Sequence, residues 1–247
     1  MDVTSVDIRF YGDLAEIAAR RGGAGLVSVP VGEPRSVKDA IESCGVPHTE
    51  VDLLVVDSTS VGFDYLLSPG QRVAVYPRFH AIDVASATRV RPEPPAQPRF
   101  VLDVHLGRLA GLLRLAGFDA TYSTDASDHA LAATSAAERR WLLTRDRRLL
   151  MRRRVVHGYL VRSMHPPDQA VEVARRFDLA DRLAPFTRCA RCNGVLEHVD
   201  KDDVLHRLPP ATRVERDTIV RCAGCHQLYW RGSHASALEK LVSMMRG

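Results

Sequence analysis

Apolar positions change their period several times along the chain, and each change marks an element. Val3, Val6, Ile8 and Phe10 open a strand pattern, and a short helix fits Asp13 to Arg20, broken by Gly22, Gly23 and Gly25. Leu26 to Val31 forms a second strand. Val37, Ala40, Ile41 and Cys44 then share one face of a helix that Ser36 can cap and Gly45 stops. The runs Val51–Asp57 and Gln71–Phe79 supply two more strands around a Ser68-Pro69-Gly70 turn. Ala85 to Arg99 holds four prolines and little apolar bulk, the composition of an extended spacer.

Beyond the spacer, strands and helices alternate. Phe100–Val104 is a strand, and Leu106, Leu109, Ala110, Leu113 and Ala116 stripe a helix that Gly117 stops. Asp119–Ser123 is a short strand, Asp128–Arg139 a helix, Trp141–Thr144 a strand, Arg147–Arg152 a short helix and Val155–Ser163 a strand. A helix opening at Pro167 buries Ala170, Val171, Val173, Ala174 and Phe177. Such alternation predicts right-handed crossovers and a parallel sheet with helices on both faces. Val195–Val199 and Thr218–Cys222 are ribbon strands, and His234 opens a closing helix.

Composition adds the scale. A chain of 247 residues with 45% hydrophobic and 26% charged residues fits two or three small globular domains. No run approaches the roughly 18 apolar residues of a membrane span, and the first residues lack a signal-peptide pattern, so the cytoplasm is the expected compartment and a membrane is not an expected partner. The net charge of +4 is mild, but lysines occur only at Lys38, Lys201 and Lys240. Arg139, Arg140, Arg145, Arg147, Arg148, Arg152, Arg153 and Arg154 crowd one segment, which suits either a polyanion or a solvated helix face.

The apolar runs of the central region deliver acids. One strand leads into Asp103 and another into Asp146, while Asp125 and Asp128 precede the helix between them. In open parallel sheets, sites form outside the carboxyl ends of the strands. Hard oxygen ligands there suit Mg²⁺ or Mn²⁺. Asp128 and Asp146 could instead be helix caps, whereas a carboxylate beside an apolar run, as at Asp103, is costly unless paired or liganded. Cys189 and Cys192, then Cys222 and Cys225, form two C-x2-C knuckles, the spacing of a closed, structural Zn²⁺ site. His226 adjoins a ligand but reads as a surface residue, and Cys44 as a core one. Tyr229, Trp230 and Arg231 follow the second knuckle, where they either stack on bases or pack inward.

Residues 1–84, with the stretches Ile8–Glu16, Ser36–Ser43 and Leu66–Pro77, resemble a ubiquitin-like β-grasp, more narrowly the sulfur carriers of molybdopterin and thiamine synthesis. Those carriers act through a terminal diglycine. Here Arg78-Phe79-His80-Ala81 runs on into more protein, which leaves a binding or positioning module. Phe100–Tyr122, the Thr144-Arg145-Asp146 triplet with its flanks, Leu160–Ser163, Phe186–Leu196 and Tyr229–His234 resemble the PIN-like ribonuclease family named for the Mut-seven C-terminal (Mut7-C) domain. The expected architecture is α/β throughout: a β-grasp at 1–84, a Pro-rich linker at 85–98, a PIN-like α/β/α nuclease domain at 99–184, and a zinc-ribbon segment with a closing helix at 185–247.

The family resemblance implies a metal-dependent ribonuclease whose acidic site hydrolyses RNA phosphodiester bonds. Structured RNA such as tRNA is a natural substrate class, though no residue names it. Asp103 matches its first-strand aspartate and Asp146 that of its Thr-Arg-Asp motif, while Asp125 and Asp128 compete for the intermediate position. Arg108, Arg145 and Arg147 stand where phosphate would be held. The implied partners are RNA and, through the β-grasp domain, a second protein. The other reading is a non-catalytic RNA-binding adaptor whose acids only cap helices.

Overall fold

The computed structural model describes residues 5–18, 25–79, 83–90, 95, 97–210, 219–230 and 235–247. Val3, Arg20, Gly22, Gly23, His80, Ala81, Pro92, Pro94, Thr218, Arg231 and His234 lie outside them. The chain divides into two compact units: Met1–Pro94 with Asp146–Leu160, and Pro95–Arg145 with Val161–Gly247.

The first unit begins with β1 (Ser5–Phe10), α1 (Asp13–Ala18) and β2 (Leu26–Pro30), followed by β3 (Arg35–Ser36), α2 (Val37–Ser43), β4 (Leu53–Val56), β5 (Thr59–Ser60), β6 (Leu66–Leu67) and β7 (Arg72–Tyr76). Its main sheet runs β2-β1-β7-β4-β5. β1 pairs antiparallel with β2 and parallel with β7, which places the first and last strands side by side at the centre. Ser36 caps α2 by accepting the Asp39 N–H at 3.1 Å, and Gly45 ends it at φ +87°, a conformation open to glycine. Ile8, Leu14, Ile41, Leu54 and Val75 are fully buried, and Cys44 joins them as a core residue. The start of the Pro-rich stretch folds back onto this unit. Val90 is buried, the Thr88 hydroxyl donates to the Asp52 carbonyl, and the Ser60 hydroxyl donates to that of Ala87 at 2.5 Å.

The second unit opens with β8 (Phe100–Leu102), a 3-10 turn (Val104–Leu106), α3 (Gly107–Leu115), β9 (Ala120–Tyr122), α4 (Asp128–Glu138) and β10 (Trp141–Thr144). β8 pairs parallel with both β9 and β10, as the alternation predicted. Gly117 turns the chain at φ +102°, where a Cβ would lie 2.3 Å from the Ala184 carbonyl oxygen, so only glycine fits. The expected helix from Asp128 to Arg139 starts one residue after its cap, Ser127, and closes on Arg139 at φ +50°.

The chain then re-enters the first unit with α5 (Arg147–Leu150) and β11 (Gly158–Leu160). The strand expected over Val155–Ser163 is thus cut to three residues. Met151 to Val156 lies outside any helix or strand, and the Val155 carbonyl is engaged by His48 rather than by a neighbouring strand. Back in the second unit, α6 (Pro166–Phe177) carries Phe177 against Phe100 and Trp141, with ring centroids 5.4 and 4.8 Å apart. Val171, expected on its buried face, is only half-buried. The remainder is β12 (Leu196–Val199), α7 (Lys201–Val204), β13 (Ile219–Cys222), β14 (Leu228–Trp230) and α8 (Ala235–Arg246). β14 is a third ribbon strand, antiparallel to β13, that the apolar pattern did not mark.

Candidate active site and metal centre

β8 is buried along its whole length, and Asp103 is the first residue past its carboxyl end. The Asp103 N–H donates to the Leu143 carbonyl at 3.0 Å, which extends the β8–β10 pairing by one residue and fixes where the side chain begins. That side chain is 6% exposed and accepts the Thr144 hydroxyl at 2.7 Å; Thr144 itself is fully buried. The turn after Asp103 is also held from β9: the Tyr122 hydroxyl donates to the Val104 carbonyl at 3.0 Å. Gly107 makes room for that ring, since a Cβ there would lie 2.7 Å from the Tyr122 oxygen. One turn at the carboxyl end of the sheet is therefore fixed by all three parallel strands.

The other acids stand differently. Ser127 caps α4 by accepting the Ala130 N–H at 3.2 Å. Asp128 is the first helical residue, half-buried, and is relieved of the capping role. Asp125 is exposed in the preceding loop and accepts the Ser123 hydroxyl. Asp146 is exposed and does cap a helix, accepting the Arg148 N–H at 2.7 Å. Arg108 is exposed on the first turn of α3, and Arg145 is exposed with its guanidinium 2.6 Å from the Met164 sulfur. Arg147 is half-buried and donates to the Ile17 carbonyl at 3.2 Å.

The cysteines converge. Cys189, Cys192, Cys222 and Cys225 have all four sulfurs within 4.8 Å of one another. Among the described residues they form the one group of three or more His, Cys, Asp or Glu side chains close enough to hold a single ion, and Asp103, Asp125 and Asp128 are not gathered into another. The Cys189–Cys225 and Cys192–Cys222 separations are 3.5 and 3.4 Å. A tetrahedral zinc thiolate with bonds of about 2.3 Å has edges of about 3.8 Å, so the quartet fits with little adjustment. Gly194 belongs to the cradle: a Cβ would come within 2.8 Å of the Cys222 sulfur.

The surroundings of the quartet favour an ionised thiol at Cys189. Burial raises the Cys189 thiol, but the Tyr229 hydroxyl, 3.1 Å away, and the backbone N–H groups of Cys192 and Arg191 outweigh it and bring it to about 6. The Gly194 N–H lowers the Cys192 thiol, while burial and the neighbouring sulfurs push it to about 12. The two thiols are driven in opposite directions, and a bound dication would stabilise both as thiolates. Tyr229 thus serves the cysteines. Trp230 packs against the ribbon's small core of Val204, Leu208, Ile219 and Leu228, so this aromatic pair faces inward.

A family model described as "Mut7-C RNAse domain" matches residues 98–242, and one described as "Mut7-C ubiquitin" matches residues 3–83. The chain belongs to the Mut7-C RNAse domain family. No curated protein and no solved structure matches it.

The Mut7-C match spans the parallel sheet and the cysteine ribbon together, and the contacts show how the two are wired. Arg114, 5% exposed on α3, donates from Nε to the Ala120 carbonyl at 2.7 Å and from Nη1 to the carbonyls of Ala190 and Arg191 in the first knuckle, at 3.1 and 3.0 Å. Asn193, at φ +69°, accepts the Ala120 N–H at 3.1 Å and donates to Asp119 at 2.7 Å. Asp119 also accepts from Arg140 at 2.7 Å. Burial pushes the Arg114 guanidinium down, and the charges of Cys189, Cys192 and Asp119 oppose that. Burial would raise the Asp119 carboxyl, but bonds from Arg140 and Asn193 and the charge of Arg188 hold it below the usual carboxylate range. Sequence reasoning missed Arg114, Asp119 and Asn193, and it met Thr144 only as part of a motif, without its bond to Asp103.

Proposed function

We propose that this Mut7-C protein is a divalent-metal-dependent ribonuclease that hydrolyses RNA phosphodiester bonds. The observation that carries the reading is Asp103, a nearly buried carboxylate at the carboxyl end of a parallel sheet, oriented by a fully buried hydroxyl. Burying a carboxylate there has a cost that a bound cation offsets. Asp103, Asp146 and either Asp128 or Asp125 would hold Mg²⁺ or Mn²⁺, and their all-oxygen, acidic donor set suits a hard cation. When bound, that cation polarises the phosphate and lowers the pKa of a coordinated water. Asp103 would hold the ion, and Thr144 holds Asp103 in one rotamer. Arg108, Arg145 and Arg147 offer guanidinium groups to the flanking phosphates. The cysteine quartet holds structural Zn²⁺ and steadies the ribbon. We further assign the protein to the cytoplasm and, on the family resemblance, to the PIN-like class.

A non-catalytic RNA-binding role also has an observation behind it, since Asp146 caps α5. One experiment separates the two. Wild-type protein is incubated with several RNA classes in Mg²⁺, Mn²⁺ or EDTA, beside Asp103→Asn and Asp146→Asn. Cleavage in either metal, abolished by EDTA and reduced at least about 100-fold in Asp103→Asn, is expected. RNA left intact under every condition leaves the adaptor reading standing.

A further inference from the structure

We infer that the ubiquitin-like unit works in cis, as the platform that positions the segment beginning at Asp146, with Glu50 and His48 as the positioning residues. The inference rests on the ribonuclease reading above. Asp146–Leu160 belongs to the same compact unit as Met1–Pro94, and a 3-10 turn of the β-grasp, His48–Glu50, makes two polar attachments to it. Glu50 is 3% exposed and accepts the Leu160 N–H at 2.7 Å. His48, also buried, donates from Nε2 to the Val155 carbonyl at 2.9 Å, while its Nδ1 lies 2.7 Å from Glu42. At the other end, Arg147 donates to the Ile17 carbonyl, and Gly45 faces its guanidinium, with a Cβ at 3.6 Å from Nη1. The start, middle and end of the segment are thus each bonded to the β-grasp.

The packing has the same one-to-one fit. Leu149, Leu150 and Val155 are fully buried. A Cβ on Gly158 would meet Leu150 at 2.6 Å, Val155 at 3.2 Å and Thr49 at 3.4 Å. Glu50 and His48 bond to a stretch more than 100 residues away in sequence. A module built for recruitment alone would keep such groups in water, where they cost nothing. Here they are buried against the residues that follow Thr144, the donor to Asp103. Holding Arg147, Val155 and Leu160 fixes the frame on which Asp146 and the arginines after it are carried. Preorganisation of that kind appears in the rate of the chemical step more than in substrate binding.

The test uses the full chain. Glu50→Ala removes the acceptor of the Leu160 N–H, Glu50→Gln keeps one, and Gly158→Ala crowds Leu150 and Val155 within the segment itself. Hydrogen exchange at residues 155–160 is read beside steady-state RNA cleavage, with the amides of β1 and β7 as the folding control. In Glu50→Ala and Gly158→Ala, exchange should rise and kcat fall by about tenfold, with KM within about twofold and β1 and β7 unchanged. Glu50→Gln should stay close to wild type. Unchanged exchange at 155–160, faster exchange with wild-type kcat, or Glu50→Gln as impaired as Glu50→Ala overturns the inference. A wild type that leaves RNA intact overturns the nuclease reading itself and is recognised before any variant is compared.

Discussion

A buried carboxylate at a strand end needs a donor, and Thr144 supplies it to Asp103. Thr144→Val keeps the shape and removes the hydroxyl. It should lower stability by about 1–2 kcal/mol and RNA cleavage by about tenfold, because an unsatisfied buried acceptor costs that much and the carboxylate loses its fixed rotamer. Urea melts beside kinetics check both. Asp119 gives a pH signature. Its folded pKa lies below the unfolded value, so its contribution is fully present above the unfolded pKa and is lost as pH falls through the folded one. Stability measured below about pH 4 should therefore fall less steeply in Asp119→Asn than in wild type. Asp103 was legible in sequence because a carboxylate beside Phe100-Val-Leu invites explanation. Thr144 was not, since its partner is 41 residues away and only strand register joins them. Asp128 shows a local limit: Ser127 and Asp128 are both good caps, and the backbone used the earlier one.

At the scale of elements, two supports would hold the ribbon: the proposed zinc and the attachment to β9. Its described core is four buried residues, too few to hold three short strands unaided. Chelating zinc should therefore melt the ribbon, and the effect should reach the sheet, because Asn193 and Arg114 bond both to the knuckle and to Ala120. Arg114→Met should lower the melting temperature and speed exchange of the β9 amides with zinc content unchanged. Equal exchange at β9 in wild type, chelated protein and Arg114→Met would mean that ribbon and sheet are independent. The knuckles were plain in sequence, since two C-x2-C pairs carry their geometry in their spacing. Their docking was not. It rests on one amide at positive φ and on a buried arginine that resembles any surface arginine until α3 is packed.

Over the whole molecule, the order of strands and helices was readable from the apolar period, and the two family matches divide the chain much as the composition does. The excursion of Asp146–Leu160 into the first unit was not readable, because nothing local distinguishes a segment that packs on its sequence neighbours from one that packs on residues 100 positions earlier. That excursion has a thermodynamic consequence. Residues 1–94 alone lack Leu149, Leu150, Val155, Tyr159 and Leu160, each nearly buried in the intact protein. Burying one large apolar side chain stabilises by about 1.5–3 kcal/mol, and Glu50 and His48 would also return to water without their partners. A fragment of residues 1–94 should then melt well below the same unit in the full chain and bind a hydrophobic dye. Adding a peptide of residues 146–160 should raise its melting temperature further with each increase in peptide concentration, in step with the logarithm of that concentration. Peptide without effect, on a fragment as stable as the full-length unit, would show that the β-grasp is complete without the returning segment.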